Sequence, residues 1–93
     1  MAEPPISHVL RSFLGLTPQE FALLVGVDTR TVMRWESGGA EPAGASHALI
    51  HTMYFRIRLP GGEKLKELLV DSAKVGGLPA LLTTLFFHWS QPQ

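Results

Sequence analysis

The sequence predicts an all-α fold of four helices followed by two more, and three observations carry that prediction. Apolar residues recur at helical spacing, as in Phe21, Ala22, Leu24 and Val25 or in Leu65, Leu68 and Leu69. Glycine and proline cut the chain into pieces of helix length at Gly15, Gly26, Gly38-Gly39, Pro60-Gly61-Gly62 and Gly76-Gly77. No stretch alternates apolar and polar residues as a half-buried strand would. The 93 residues suffice for one small fold, read as a unit over residues 1–60 and a C-terminal helical segment over 61–93.

Each element has its own signature. After an extended lead-in through Pro4 and Pro5, Ser7 is expected to cap a first helix that ends near Leu14, with Gly15 as its stop and Leu16 as a buried connector. Thr17, Pro18 and Glu20 make a complete helix start: a capping hydroxyl, proline at the first helical position, and glutamate three residues after the cap. The second helix stops at Gly26, Val27 is the apolar residue of the turn, and Asp28 caps a third helix from Thr29 to about Ser37 with Val32 and Trp35 inward. A loop around Pro42 leads to a fourth helix over residues 45–58, whose inward positions are Leu49, Ile50, Met53 and either Phe55 or Ile57. A fifth helix is expected over residues 63–75, with Leu65, Leu68, Leu69 and Val75 on one stripe, and a last one from Pro79 to about Trp89, apolar nearly all round.

Composition removes several function classes. There are no cysteines, so disulfides and thiolate zinc sites are excluded. The N-terminal residues lack the basic start, apolar run and cleavage site of a signal peptide. The apolar stretch from Leu78 to Trp89 is about a dozen residues, too short to span a bilayer. A cytoplasmic protein without membrane attachment is therefore expected. His47 and His51 stand four apart but have no third ligand at suitable spacing, so no metal and no cofactor is assigned. No nucleophile–histidine–acid set, carboxylate pair or phosphate-cradling glycine loop is present, and the chain reads as a non-enzyme.

The formal net charge is zero, whereas nucleic-acid binders gain most of their affinity by neutralising phosphates. Distribution matters more than the sum here. All five arginines lie between Arg11 and Arg58, and from Pro42 to Gly62 there are two arginines and two histidines but no acid.

The informative segment is residues 10–53. Two short helices joined through Gly26-Val27-Asp28 have the spacing of a helix-turn-helix, whose second helix lies in the DNA major groove. The run LRSFLGLTPQEFALLVGVDTRTVMRWESGGAEP resembles the Cro and lambda-repressor type of helix-turn-helix, the XRE family, over the first 55 to 60 residues. The likeness rests on Leu14-Gly15-Leu16, Thr17, Glu20, Phe21-Ala22, Gly26-Val27, the capped third helix, and Trp35-Glu36-Ser37-Gly38 before Pro42.

The resemblance implies a lambda-repressor-like bundle, a double-stranded DNA partner, and definite roles. Thr29, Arg30 and Arg34 match positions that face bases, while Thr31 and Met33 reach the groove or the backbone. Arginine reads guanine through a bidentate pair to O6 and N7. Thr17 and the amides of Gln19 and Glu20 match a phosphate-holding helix start. Arg11 and Glu36 match a structural pair, with Arg11 also placed to touch phosphate. Where the family often has a glutamine that contacts the DNA backbone, this chain has Pro18, which has no such donor, so that contact is absent or passes to Gln19.

Leu23 and Leu24 fall where the family usually places polar, exposed residues. The C-terminal stretch holds Leu78, Leu81, Leu82, Leu85, Phe86, Phe87 and Trp89, more apolar surface than one thin helix buries in a small domain. The last two helices are accordingly expected to cover the second or fourth helix and also to build a two-fold homodimer, with Leu78, Leu82, Leu85, Phe86 and Trp89 at its interface, the alternative being that they only complete a monomer core. The function expected is a transcriptional repressor that binds an inverted repeat as a homodimer. The alternative is an antitoxin-type module whose C-terminal helices bind a partner protein.

Overall fold

Local chemistry sets the helix ends in the computed structural model, which describes residues 4–80 and 82. The described chain is helical without strands: α1 (Ile6–Leu14), α2 (Pro18–Val25), α3 (Thr29–Ser37), α4 (Gly44–Ile57) and α5 (Gly62–Val75), with a further helical stretch opening at residues 78–80. Gly15, Gly26 and Gly38 close the first three helices.

The first helix starts two residues earlier than a Ser7 cap would dictate. Pro5 sits in an extended conformation, and its carbonyl accepts the first turn's bond from the Val9 N–H at 3.1 Å. Ser7 thus lies inside the first turn, buried, and its hydroxyl has no partner among the described residues. Among the described residues no helix is long and apolar enough to cross a membrane.

One apolar core joins all five helices. Leu10 and Leu14 come from α1, Phe21, Leu24 and Val25 from α2, Val32 and Trp35 from α3, Ile50, Met53 and Ile57 from α4, and Leu69 and Ala73 from α5. Full burial of a side chain such as Phe21, Leu10 or Ile50 contributes about 1.5–3 kcal/mol, so the core rather than helix propensity holds these short helices. The segment after residue 60 shares this core, since α5 packs on α2, α4 and α1.

That packing settles two open points and corrects one expectation, that of Val75. Leu24 is fully buried while Leu23 stays 55% exposed, because α5 covers the α2 face that Leu24 presents. On α4 the inward stripe runs Ile50, Met53, Ile57, which leaves Phe55 on the solvent side. On α5 the stripe passes through Leu69, Ser72 and Ala73, so Val75 points outward at 78% exposure.

Gly26 shows why the α2–α3 connection needs glycine twice over. Its φ of 79° is a left-handed conformation that side chains resist, and a Cβ there would stand 2.5 Å from Leu78 Cδ2. Leu78, expected at an interface between copies, therefore packs within the chain, half-buried against the core. Leu82 is exposed, and Leu85, Phe86 and Trp89 lie outside the described residues.

Candidate nucleic-acid interface

The candidate surface is built from the start of α2, the turn after it, and α3. At the start of α2 the Thr17 hydroxyl accepts from the Glu20 N–H at 3.1 Å, and the Glu20 carboxylate accepts from the Thr17 N–H at 3.0 Å. This reciprocal box fixes the helix start but uses two of the amides that a phosphate would need. Pro18 has no N–H. The backbone donor left open is that of Gln19, which is exposed, together with the Thr17 hydroxyl proton.

Glu20 also accepts from Lys74 Nζ at 3.2 Å, which ties α5 to α2. The hydrogen bond from the Thr17 amide, then that from Lys74, holds the Glu20 carboxyl below its ordinary range.

The turn is tight. The N–H groups of Gly26 and Val27 both donate to the Ala22 carbonyl, at 2.9 and 3.0 Å, and Val27 packs on the core. Asp28 then starts α3 by accepting from both the N–H and the hydroxyl of Thr31, each at 2.8 Å. These two bonds, the hydroxyl's first, keep the Asp28 carboxyl below its ordinary range. Thr31 thereby has its only hydroxyl proton engaged within the chain. A phosphate oxygen only accepts, so Thr31 donates to one only by leaving Asp28.

α3 divides cleanly. Val32 and Trp35 face inward, Trp35 at 4% exposure, so the indole serves packing and is no stacking platform. Arg30, Met33, Arg34 and Ser37, spaced i, i+3, i+4 and i+7, form the exposed face, and Thr29 is half-buried at the first turn. Neither Arg30 nor Arg34 enters an ion pair among the described residues.

The far end of α3 is fastened to α1. Arg11 grips Glu36 with two bonds, Nε to Oε2 at 2.5 Å and Nη2 to Oε1 at 2.8 Å, and its Nη1 donates to the Leu16 carbonyl at 2.9 Å. Both side chains are 17% exposed. The guanidinium holds the Glu36 carboxyl below its ordinary range, and Glu36 in turn raises Arg11. All three Arg11 nitrogens bond within the chain, which makes this residue a positioning group for α3, and these bonds do not use all five of its N–H donors.

Two partners here were not foreseen. His8 Nδ1 lies 3.2 Å from Glu36 Oε1 and 3.4 Å from Arg11 Nη2. Its place three residues before Arg11, on the same helical face, was the available signal. Lys74 stands 54 residues from Glu20, and only the docking of α5 brings them together. His47 and His51 are exposed on α4 with ring centroids 4.1 Å apart, and no group of three potential metal ligands converges among the described residues.

Compared with known proteins, the chain matches no family model, no curated protein and no solved structure.

Proposed function

We propose that this chain is a sequence-specific regulator of transcription, a repressor, that binds duplex DNA as a homodimer. In this reading α2, the Gly26-Val27-Asp28 turn and α3 form a helix-turn-helix of the Cro and lambda-repressor type, and α3 enters the major groove. The chain acts by occupying DNA, as a cytoplasmic binding protein rather than an enzyme.

The observation that carries the reading is the exposed α3 face with two guanidinium groups, Arg30 and Arg34, that enter no ion pair among the described residues. Four residues advance a helix by about 6 Å. Successive bases on one strand are about 3.4 Å apart, so the two groups span roughly two base-pair steps. A helix about 10–12 Å across fits a groove about 12 Å wide. Arg30 and Arg34 then read guanines, Met33 meets thymine methyl groups, and Gln19 N–H and Thr17 O–H hold a phosphate beside them.

The test is selection of bound sites from random duplex DNA. The expected product is an inverted repeat with guanine in each half and half-site centres about 34 Å apart. A selection that converges on no motif ends the proposal. The partner-protein reading draws on Leu23 and Leu82, both more than half exposed. A chain that is insoluble without a co-expressed partner and selects no DNA would favour it.

A further inference from the structure

α1, the end of α4 and α5 enclose a groove of about 630 Å³ lined by Phe13, Ile57 and Val70, with Glu63, Glu67 and Asp71 on its rim. The three acids are four residues apart along α5, where like charges repel. Lys66 lines the same groove, its Nζ 4.5 Å from the centre of the Phe13 ring, while Lys74 bonds Glu20, so one lysine stands against three acids in the lining. None of the three acids has an ion-pair partner among the described residues. Phe13 is 54% exposed in a chain that buries its other α1 apolar residues well.

The neighbouring exposed face of α4 has the opposite character. His47, His51, Phe55, Arg56 and Arg58 are all exposed, and no acid occurs from Pro42 to Gly62. Phe55 is 64% exposed, Arg58 lies 5.2 Å from the Tyr54 ring centre, and neither arginine is ion-paired among the described residues. Rim and face thus carry net charges of opposite sign, without ion pairs to offset them among the described residues, and each beside an exposed phenylalanine.

We infer that the α1–α5 groove receives the α4 face of a second copy of this chain, with Phe55 entering the groove and Arg56 and Arg58 meeting the acidic rim. Ile57 belongs to the groove wall while its neighbours Phe55, Arg56 and Arg58 point to solvent, so groove and face adjoin at the end of α4. A two-fold axis near that end makes the contact reciprocal, since each protomer offers both halves. The inference deepens the homodimer named above by giving it a surface built from described residues, and it rests on that reading only for the dimer's use on DNA.

Charge exchange tests it, with sedimentation velocity at low salt as the readout and circular dichroism as the check on folding. The wild-type chain should be a dimer that shifts to monomer as salt rises. The double variant Glu67→Lys with Asp71→Lys should be monomeric, because groove and α4 are then both basic. The double variant Arg56→Glu with Arg58→Glu should be monomeric for the converse reason. An equimolar mixture of the two should form a 1:1 heterodimer, which unfolding or a merely local effect would not restore.

Wild-type chain that stays monomeric at its highest soluble concentration overturns the inference. So do double variants that remain dimeric while Leu82→Asp dissociates the chain, which would place the interface on the C-terminal helix. The monomeric Glu67→Lys with Asp71→Lys variant should still bind a single half-site duplex through α3 at least as tightly as wild type. Loss of half-site binding would instead assign these surfaces to DNA and overturn the inference, whereas absent half-site binding by wild type with an intact dimer would fault the DNA reading alone.

Discussion

Replacing Glu36 by alanine is the most direct perturbation of the arrangement that orients α3. The substitution removes both carboxylate bonds to Arg11 and the contact with His8, and leaves the guanidinium holding only the Leu16 carbonyl. Breaking a fully buried pair costs about 3–5 kcal/mol, whereas an exposed pair is worth about 0–1 kcal/mol. With 17% of each side chain still reaching solvent, the expected loss lies between these, about 2 kcal/mol. For a chain this size 1 kcal/mol moves the melting temperature by about 4–8 °C, so a drop near 10 °C is expected by thermal or urea denaturation.

The pH dependence identifies the cause. Glu36 is held below its ordinary value near 4.5, chiefly by the Arg11 hydrogen bonds. A carboxyl whose folded pKa is depressed contributes stability that is fully present above the unfolded pKa and is lost as pH falls through the folded one. Wild type should therefore lose its advantage over Glu36→Ala below about pH 4, and the two should converge as Glu36 protonates. Glu36→Gln, which keeps an acceptor but not the charge, should fall between them. A Glu36→Ala chain that melts within about 2 °C of wild type at neutral pH would refute the assignment of this pair as the fastening of α3.

Arg34→Ala should relax preference at one position in each half-site by about 1–3 kcal/mol, read by competition binding against single-base variants of the selected site. Thr31→Val should leave the salt dependence of half-site binding unchanged, because its hydroxyl donates to Asp28, and a shallower slope would show that it contacts phosphate after all. Gly26→Ala should destabilise the fold by about 1–3 kcal/mol in urea titration, since alanine resists the left-handed backbone and its methyl group meets Leu78. An unchanged midpoint would show that Leu78 does not pack there.

How much of this was legible follows from the range of the interactions involved. The Thr17 box, the Asp28 cap and the inward Val32 and Trp35 depend on residues within four positions of one another, so spacing alone exposes them. The start of α1 was misplaced because Pro5 and Ser7 both favour a helix start, and the Val9 bond to Pro5 decides between them. Val75 was misread, and spacing does not divide Leu23 from Leu24, for a longer-range reason. Whether an apolar residue on a two-turn helix faces a partner depends on where α5 docks, and nothing in PQEFALLV says which side it will cover. The same docking hides Leu78 and creates the Lys74–Glu20 bond.

The neutral net charge, at first an obstacle to a DNA-binding role, is resolved by where the acids go. Glu36 is paired with Arg11 and Glu20 with Lys74, while Asp28 keeps its charge as the α3 cap beside Arg30 and Glu41 is exposed in the loop after α3. Glu63, Glu67 and Asp71 all sit on α5, which packs on α1, α2 and α4. What α3 presents outward after this pairing is Arg30 and Arg34 with no acid on the same stripe. A phosphate backbone responds to charge within roughly a Debye length, about 8–10 Å, rather than to the sum over the chain. A neutral protein can therefore present a locally cationic stripe, provided most of its carboxylates are paired within the fold or carried on another helix. The Glu36 titration and the Arg34 substitution probe the two halves of that condition separately, one through stability and one through base preference.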